Sequence, residues 1–359
     1  MSKKKIRMGI IGTGMIFNRH YNGIKGSPDA ELTAICDANE KALRKKAQEL
    51  DIPESHTFTD FKEMFDSGLI DAVSICTPNN THVMIAMEAL KRNIPFAMEK
   101  PVGVNDDEVL KLYEAVTEKG LKNMVCFTYR FKKAARFAKH IVESGAIGEI
   151  YHVYTEYIQD YDLRPYSLPT FWRFQKDVAG GGVVYDLGCH VMDLVTFITG
   201  LKYESLCATT ENVIKTRPDP ETNEEREVTT DDFCHMLTKF TSGASGVFSI
   251  SKCCAGRKNY QRIQIYGSKG AIIYTLSDKN LEDMIEVCIG KPYTDSYNFT
   301  KLDIPAEYCT EQMQSFFDIL NDCGDGMAAD LEDGLVAQRL ITKVMESSEK
   351  QNWVSVAEK

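Results

Sequence analysis

The chain has 359 residues and a formal net charge of −10, because 52 Asp and Glu outnumber 42 Lys and Arg. This acidic balance argues against nucleic acid and anionic membrane surfaces as partners. The length suits two domains, each large enough to bury a core of its own.

The sequence contains no apolar run of membrane-spanning length and no signal-peptide pattern. Its 11 cysteines include no Cys-x-x-Cys pair, and most of them lie inside apolar segments. Such cysteines are typical of small buried hydrophobic residues in a reducing compartment. We therefore expect a cytoplasmic protein without a metal site.

The first predicted elements are a strand, Ile6–Ile11, a glycine-containing turn and a helix from about Met15. In such a unit the first glycine makes the turn, the second admits a pyrophosphate, and the helix N-terminus supplies N–H groups. The third glycine position of this fingerprint holds Phe17, which departs from the pattern. The candidate phosphate-binding residues are Gly12, Thr13, Gly14, Met15 and Ile16.

A second predicted strand, 32–37, ends in the carboxylate of Asp37. Its distance along the chain from the glycines is close to the spacing of about 20 residues at which a dinucleotide fold places its ribose-binding acid. A carboxylate accepts hydrogen bonds from the ribose of NAD and repels the extra phosphate of NADP. No Arg or Lys directly follows Asp37, so the sequence favours NAD over NADP.

Two more predicted strands, 70–76 and 94–98, end in polar turns. Ligands bind at the carboxyl ends of strands in sheets of this kind. Lys100, between a strand end and Pro101, is therefore a stronger candidate than the helix lysines, although a solvated loop lysine would show the same pattern. The further candidates for cofactor binding on these turns are Thr77, Pro78, Asn79, His82, Glu99 and Lys100.

Three consecutive glycines, 180–182, precede a predicted helix that carries Asp186 and His190. Residues four apart on a helix share one face, so this carboxylate and imidazole form a candidate acid/base pair. A capped amphipathic helix with a hydrogen-bonded histidine would show the same pattern. Alternating patterns further predict strands near 149–159, 205–214, 227–240, 246–251, 260–266 and 271–274, a polar hairpin at 216–226, and helices at 312–321 and 331–348.

Taken in order, these motifs resemble the glucose–fructose oxidoreductase, inositol dehydrogenase and rhizopine-catabolism (Gfo/Idh/MocA) family of NAD(P)-dependent oxidoreductases. The resemblance runs from about Lys5 to beyond Gly270 and includes Asp231-Asp232-Phe233. It implies an α/β protein: a Rossmann domain with a parallel sheet at 1–124, and at 125–359 an α/β domain with a large, mostly antiparallel open sheet. Many relatives in this family bury the open face of the sheet by pairing subunits, so the resemblance implies a homodimer or homotetramer.

The resemblance also implies a catalytic set of Lys100, Asp186 and His190. An imidazole suits removal of a hydroxyl proton near neutral pH, and a lysine stabilises developing negative charge on the reacting oxygen. We expect His190 to be the base, with Lys100 as the alternative. Together with this set, the residues implied to line a sugar or cyclitol pocket are Tyr157, Gln159, Trp172 and Arg173.

The resulting hypothesis is an NAD-dependent dehydrogenase acting on a ring secondary hydroxyl of a sugar, glycoside or cyclitol. Two alternatives stay open from the sequence. One is a glycoside-cleaving enzyme that uses tightly held NAD transiently and releases no NADH. The other is a non-catalytic regulator that senses a dinucleotide.

Overall fold

The computed structural model describes residues 4–163, 168–277, 282–290 and 298–356. It divides into two compact units: an N-terminal unit of Met1–Phe127 with Thr310–Val336, and a C-terminal unit of Thr128–Cys309 with Ala337–Lys359. The segment Thr310–Val336 was expected in the second domain but packs in the N-terminal unit. Its helix, Gln312–Leu320, places Met313 directly against Gly23.

The N-terminal unit is built on a six-stranded sheet in the order β3-β2-β1-β4-β5-β6, and every neighbouring pair is parallel. The strand order reverses between β1 and β4, which is the topological switch point where dinucleotide folds bind ligands. The strands are β1 (Ile6–Ile11), β2 (Ala30–Cys36), β3 (Thr57–Phe58), β4 (Ala72–Ile75), β5 (Phe96–Met98) and β6 (Asn123–Val125).

The central strands of this sheet are buried, as their short apolar sequences predict. Ile10, Val73 and Ala97 have no exposed surface, which is the pattern of a parallel sheet covered on both faces. The helices of the unit are α1 (Phe17–Gly26), α2 (Glu40–Glu49), α3 (Phe61–Asp66), α4 (His82–Lys91), α5 (Asp106–Lys119) and Gln312–Leu320.

The C-terminal unit contains a nine-stranded sheet in the order β16-β15-β14-β13-β7-β12-β11-β8-β17. All neighbours are antiparallel except β7 and β12, which confirms the predicted fold class. The strands are β7 (Ile150–Ile158), β8 (Tyr203–Glu211), β11 (Phe233–Phe240), β12 (Ser245–Ser251), β13 (Tyr260–Gly267), β14 (Gly270–Leu276), β15 (Asp283–Ile289), β16 (Thr300–Lys301) and β17 (Val354–Ser355), with a separate hairpin of β9 (Thr216–Pro218) and β10 (Glu225–Glu227).

The helices of the C-terminal unit are α6 (Lys133–Glu143), α7 (Lys176–Ala179) and α8 (Cys189–Thr199). A last helix, Leu331–Lys350, contributes residues to both units. Among the described residues, one helical stretch, Lys176–Thr199, is long and apolar enough to cross a membrane by composition, against the sequence expectation. However, 89% of its apolar window is buried inside the protein, as in the core helix of a globular fold.

Candidate active site

The glycine turn after β1 combines one position that demands glycine with one that faces open space. Gly12 has φ +95°, and a Cβ there would lie 2.5 Å from the carbonyl oxygen of Cys76. Within the described part of the chain, a Cβ on Gly14 would meet no atom within 4 Å. The helix α1 begins three residues later, so the positive end of its dipole lies beside this turn. The turn therefore fits a phosphate-bearing ligand.

Asp37 fixes this turn as well as ending β2. Its Oδ2 accepts hydrogen bonds from both the backbone N–H and the hydroxyl of Thr13, each at 2.7 Å. Its Oδ1 accepts a bond from the N–H of Asn39 at 2.8 Å. The carboxylate is only half-buried and retains lone pairs, so its position and charge fit the ribose-binding role expected of it. Nothing in the sequence indicated its bond to Thr13.

His82 braces the two loops that follow β4 and β5. Its Nδ1 lies 2.8 Å from the carbonyl oxygen of Pro101, and its Nε2 lies 2.8 Å from that of Thr77. The ring has no exposed surface, and this burial lowers its pKa. His82 was expected among the cofactor-binding residues, but its enclosed ring serves the backbone of the binding loops.

The loop after β5 presents Glu99 and Lys100. The N–H of Glu99 continues the sheet by donating to the carbonyl of Ile75 at 2.9 Å, and the Lys100 side chain is half-buried. Thr77, Pro78 and Asn79 lie at the adjacent end of β4. The N-terminal unit thus brings the predicted nucleotide-binding residues to the carboxyl ends of β1, β2, β4 and β5, as a dinucleotide site requires.

In the C-terminal unit, Asp186 lies in a π-helical segment, Val184–Gly188, and His190 lies in the first turn of α8. The N–H of Cys189 bonds to the carbonyl of Val184, five residues earlier. The sequence predicted a continuous α-helix from residue 183. The wider turn differs from that prediction, and π segments of this kind are frequent at functional sites.

The three consecutive glycines before this segment allow other parts of the protein to pack closely against their backbone. A Cβ on Gly182 would lie 1.9 Å from the carbonyl oxygen of Asp231, and Cβ atoms on Gly180 or Gly181 would meet the ring of Tyr185. The Asp231 carboxylate accepts hydrogen bonds from the N–H groups of Gly182 at 2.6 Å and Val184 at 3.0 Å. Glycines are needed here because protein, and not a ligand, approaches the backbone.

Two cations flank the Asp186 carboxylate. Arg173 donates to its Oδ1 at 2.5 Å, and the ammonium of Lys252 lies 3.9 Å from its Oδ2. The Arg173 guanidinium also stacks over the Trp172 ring at 4.8 Å. Neighbouring positive charges favour the ionised carboxylate, so Asp186 is suited to accepting hydrogen bonds and not to donating a proton. Arg173 and Trp172, expected to bind substrate, are both engaged in this cluster.

Lys252 was not predicted. It follows β12, is 1% exposed and also lies 3.7 Å from Oδ2 of Asp162. A lone lysine at the end of an apolar strand could have indicated it. Such a lysine is buried with the strand, and a buried ammonium requires an acidic partner.

His190 is 7% exposed and packs edge-on against the ring of Tyr129, with ring centroids 4.8 Å apart. The Tyr129 hydroxyl lies 2.5 Å from that of Tyr157 and accepts a hydrogen bond from the side-chain amide of Asn259 at 3.0 Å. Gln159 joins this network by donating to Asn259 at 2.8 Å. Tyr157 is 2% exposed, and burial raises its pKa well above the usual value, so it stays protonated.

Asp193 and Arg130 lock the position of Tyr129 relative to α8. The Arg130 guanidinium donates to Asp193 through Nε at 2.9 Å and Nη2 at 2.5 Å. Both side chains are nearly buried. Such a two-pronged, charge-assisted contact fixes orientation as well as distance. The structure thus assembles Asp186, His190, Tyr157, Gln159, Trp172 and Arg173 within the C-terminal unit, and holds Lys100 in the N-terminal unit.

Family models match both halves of the chain. Residues 6–127 match the family described as "Oxidoreductase family, NAD-binding Rossmann fold", and residues 135–273 match the "GFO/IDH/MocA C-terminal domain". Levoglucosan dehydrogenase of Pseudarthrobacter phenanthrenivorans is 26% identical over 98% of both chains, and myo-inositol 2-dehydrogenase of Thermotoga maritima is 27% identical over 98% of this chain and 99% of its own.

A solved structure of levoglucosan dehydrogenase in complex with NADH superimposes with a TM-score of 0.89 and 26% identity, covering 99% of this chain and 100% of its own. Both halves of the chain therefore match the family that the sequence motifs resemble. The chain belongs to the Gfo/Idh/MocA family of NAD-binding oxidoreductases.

Proposed function

We propose that this protein is an NAD-dependent dehydrogenase that oxidises a ring secondary hydroxyl of a sugar, glycoside or cyclitol, or catalyses the reverse reduction. The observation that carries this proposal is the Asp186 carboxylate, held between Arg173 and Lys252 in the π-helical segment directly before the helix of His190. An acceptor carboxylate beside a base suits a substrate that offers several hydroxyl groups.

The residues of the N-terminal unit fit the cofactor. The turn Gly12–Ile16 would hold the pyrophosphate, Asp37 the ribose hydroxyls, and the loops with Thr77, Pro78, Asn79 and Glu99 the remainder of the dinucleotide. Bound nicotinamide would supply the hydride acceptor. We propose NAD over NADP, since Asp37 would repel a 2′-phosphate.

The catalytic roles follow from the charge of each side chain. His190 takes the hydroxyl proton, and Lys100 donates a hydrogen bond to the reacting oxygen as negative charge develops there. Asp186 accepts hydrogen bonds from substrate hydroxyls. Trp172 offers an aromatic face to ring C–H groups, while Arg173, Tyr157 and Gln159 orient the polar edge of the pocket.

The substrate class is supported by the relatives, which are named for levoglucosan and for myo-inositol. Both compounds are compact rings that carry adjacent secondary hydroxyls. We infer a neutral cyclic polyol as the substrate. The Arg173 guanidinium is already paired with Asp186, so it would attract a substrate carboxylate or phosphate less strongly.

The test is an initial-rate assay of NADH absorbance, with NAD and NADP separately, across levoglucosan, inositols, aldoses, glucosides and uronates. We expect one class of neutral ring compounds to be oxidised, and faster with NAD. Release of an aglycone from a glycoside without net NADH would replace the proposal by the retained-cofactor reaction. NAD binding without turnover of any compound would replace it by the regulator.

We further propose that the chain forms a homodimer or homotetramer through the open face of the nine-stranded sheet. Cys207, Leu237, Val247 and Tyr154 are in register across β8, β11, β12 and β7, so their side chains share one face. Leu237, Val247 and Tyr154 are 50%, 38% and 42% exposed. An apolar row of this width is typical of a protein interface.

A further inference from the structure

A histidine outside the proposed catalytic set joins three elements of the N-terminal unit. His20 lies in α1, just after the glycine turn, and its side chain has no exposed surface. Its Nδ1 lies 2.6 Å from the hydroxyl of Ser74 in β4, and its Nε2 lies 2.9 Å from Oε1 of Glu99. One ring therefore connects the helix of the glycine turn to the loop that carries Lys100.

The pair of His20 and Glu99 is charged near neutral pH. Burial opposes the charging of His20, but Cys76 and Glu99 outweigh it and raise its pKa to about 10. Burial also opposes the charging of Glu99, but His20 lowers its pKa below the usual value. A raised histidine pKa stabilises the fold below pH 6.5 and loses this effect as pH rises through about 10. The lowered pKa of Glu99 stabilises the fold above pH 4.5, and this stabilisation is lost as the pH falls further. The charged pair of His20 and Glu99 therefore persists at neutral pH.

We propose that His20 is a positioning residue of the dehydrogenase: it clamps the Glu99 side chain and thereby fixes the loop that presents Lys100. The side chain of Glu99 is 12% exposed, and one of its oxygens is committed to His20. The other oxygen is thereby oriented by a charge-assisted bond that resists rotation. Because His20 belongs to α1, the clamp also ties the Lys100 loop to the phosphate-binding turn.

Orientation fits this arrangement better than proton transport does. Ser74, the partner on the other side of the ring, has no exposed surface. A proton passed through His20 would arrive in the core and not in solvent. The rigid connection between β4, α1 and the Lys100 loop is what the contacts provide.

A metal ion is the competing explanation of this cluster. Ligand atoms of His20, Glu99 and Cys126 lie within 4.8 Å of one another. Both nitrogens of His20 already have oxygen partners at hydrogen-bond distance. Burial raises the pKa of the Cys126 thiol well above its usual value, which disfavours the thiolate that a metal would need.

The experiment compares His20→Gln, Glu99→Gln and the double variant with wild type, measuring kcat, KM and the Kd of NAD. This inference rests on the proposed function, so the best substrate of the polyol panel is used. We expect His20→Gln to lower kcat by about 10- to 100-fold, the loss typical of removing a hydrogen-bond partner that orients a metal ligand, and to weaken NAD binding less than it lowers kcat. The double variant should lose little more than either single variant, because both remove one interaction. His56→Gln, a half-buried histidine of the same unit that bonds to the Thr33 carbonyl, is the matched control and should retain kcat.

A second measurement needs no activity, and its wild-type part does not depend on whether a variant folds. NMR of histidine-labelled wild-type protein without cofactor should show His20 as an imidazolium at about pH 8, whereas His20 in Glu99→Gln should become neutral there. An unchanged kcat in His20→Gln, additive losses, a neutral His20 in wild type, or one bound metal per chain would each overturn the proposal. An inactive wild type with a charged His20 would instead contradict the proposed function, so the two failures are distinguishable.

Discussion

Asp186, His190 and the residue before Lys100 each contact side chains from other elements of the fold. Arg173 and Lys252 flank Asp186, Tyr129 packs on His190, and His20 bonds to Glu99 beside Lys100. The sequence indicated the residue types, because an acid, an imidazole and a lysine suit hydroxyl oxidation. It could not indicate their charge states, since those depend on partners that the fold alone brings together.

At the residue scale, replacing Lys100 or His190 by Ala should lower kcat by about 100-fold or more, the usual contribution of a general acid or base. The Kd of NAD, measured by titration calorimetry, should change little, because the pyrophosphate and ribose contacts are elsewhere. Lys91→Ala, a surface lysine whose side chain is 64% exposed, is the control and should behave as wild type. Wild-type rates in both active-site variants would remove these residues from the catalytic set.

The choice between NAD and NADP should depend on Asp37. Replacing Asp37 by Ala and Ala38 by Arg should shift the ratio of kcat/KM toward NADP by about 10- to 100-fold, since the change removes a carboxylate and adds a phosphate partner. The arginine is placed at 38 because Asn39 caps α2 by accepting a bond from the N–H of Ala42.

Asp37 also holds Thr13, so part of the loss with NAD will reflect a looser turn. Thr13→Val, which removes the hydroxyl bond but keeps the carboxylate, is the matched control. It should weaken both cofactors alike, and a cofactor ratio unchanged in the double variant would mean that Asp37 does not face the ribose.

At the scale of elements, local patterns predicted most of the strands and helices near their observed bounds, including α4 and β12. Two departures have physical causes. The predicted strand 227–240 begins only at Phe233, because Asp231 and Asp232 bond to the backbone N–H groups of Gly182, Val184, Val213 and Ile214. The strand β15 was missed, since its exposed and half-buried residues leave a weak apolar alternation and pairing with β14 defines it.

The glycine turn gives a prediction that separates folding from binding. Gly12→Ala should destabilise the protein by about 1–3 kcal/mol or more, because a Cβ in that conformation is strained and meets the Cys76 carbonyl. Gly14→Ala should leave the urea midpoint unchanged yet weaken NAD binding by about tenfold or more, since its added methyl enters the open space beside α1.

Gly26→Ala, whose added Cβ also meets no described atom within 4 Å, is the control: it should leave NAD binding unchanged and should not lower the urea midpoint. If Gly14→Ala bound NAD as tightly as wild type, the phosphates would lie away from this turn.

At the scale of the whole molecule, the open sheet face sets the expectation of self-association. Strand alternation predicted the strands, but the register that aligns Leu237 with Val247 and Val247 with Tyr154 comes from the fold. The division of the chain was less predictable. Thr310–Val336 joins the N-terminal unit through contacts such as the Gln314 amide donating to Asp29, which no local pattern signals.

Introducing charge on this face should separate the subunits. Leu237→Asp with Val247→Asp would bury two carboxylates in the interface, so analytical ultracentrifugation should show monomers where wild type shows dimers or tetramers. Lys45→Asp, an exposed change on α2 of the N-terminal unit, is the control and should keep the wild-type mass. A monomeric wild type at micromolar concentration would contradict this expectation.

The reaction proposed for this enzyme is net hydride transfer from a ring carbon of a polyol to NAD. The most direct measurement uses the best substrate of the panel carrying deuterium at the oxidised carbon, with mass spectrometry of the cofactor after one turnover. One deuterium should appear on the released NADH per molecule of ketone formed. Deuterium that returns to the sugar product, or NADH without label, would contradict it.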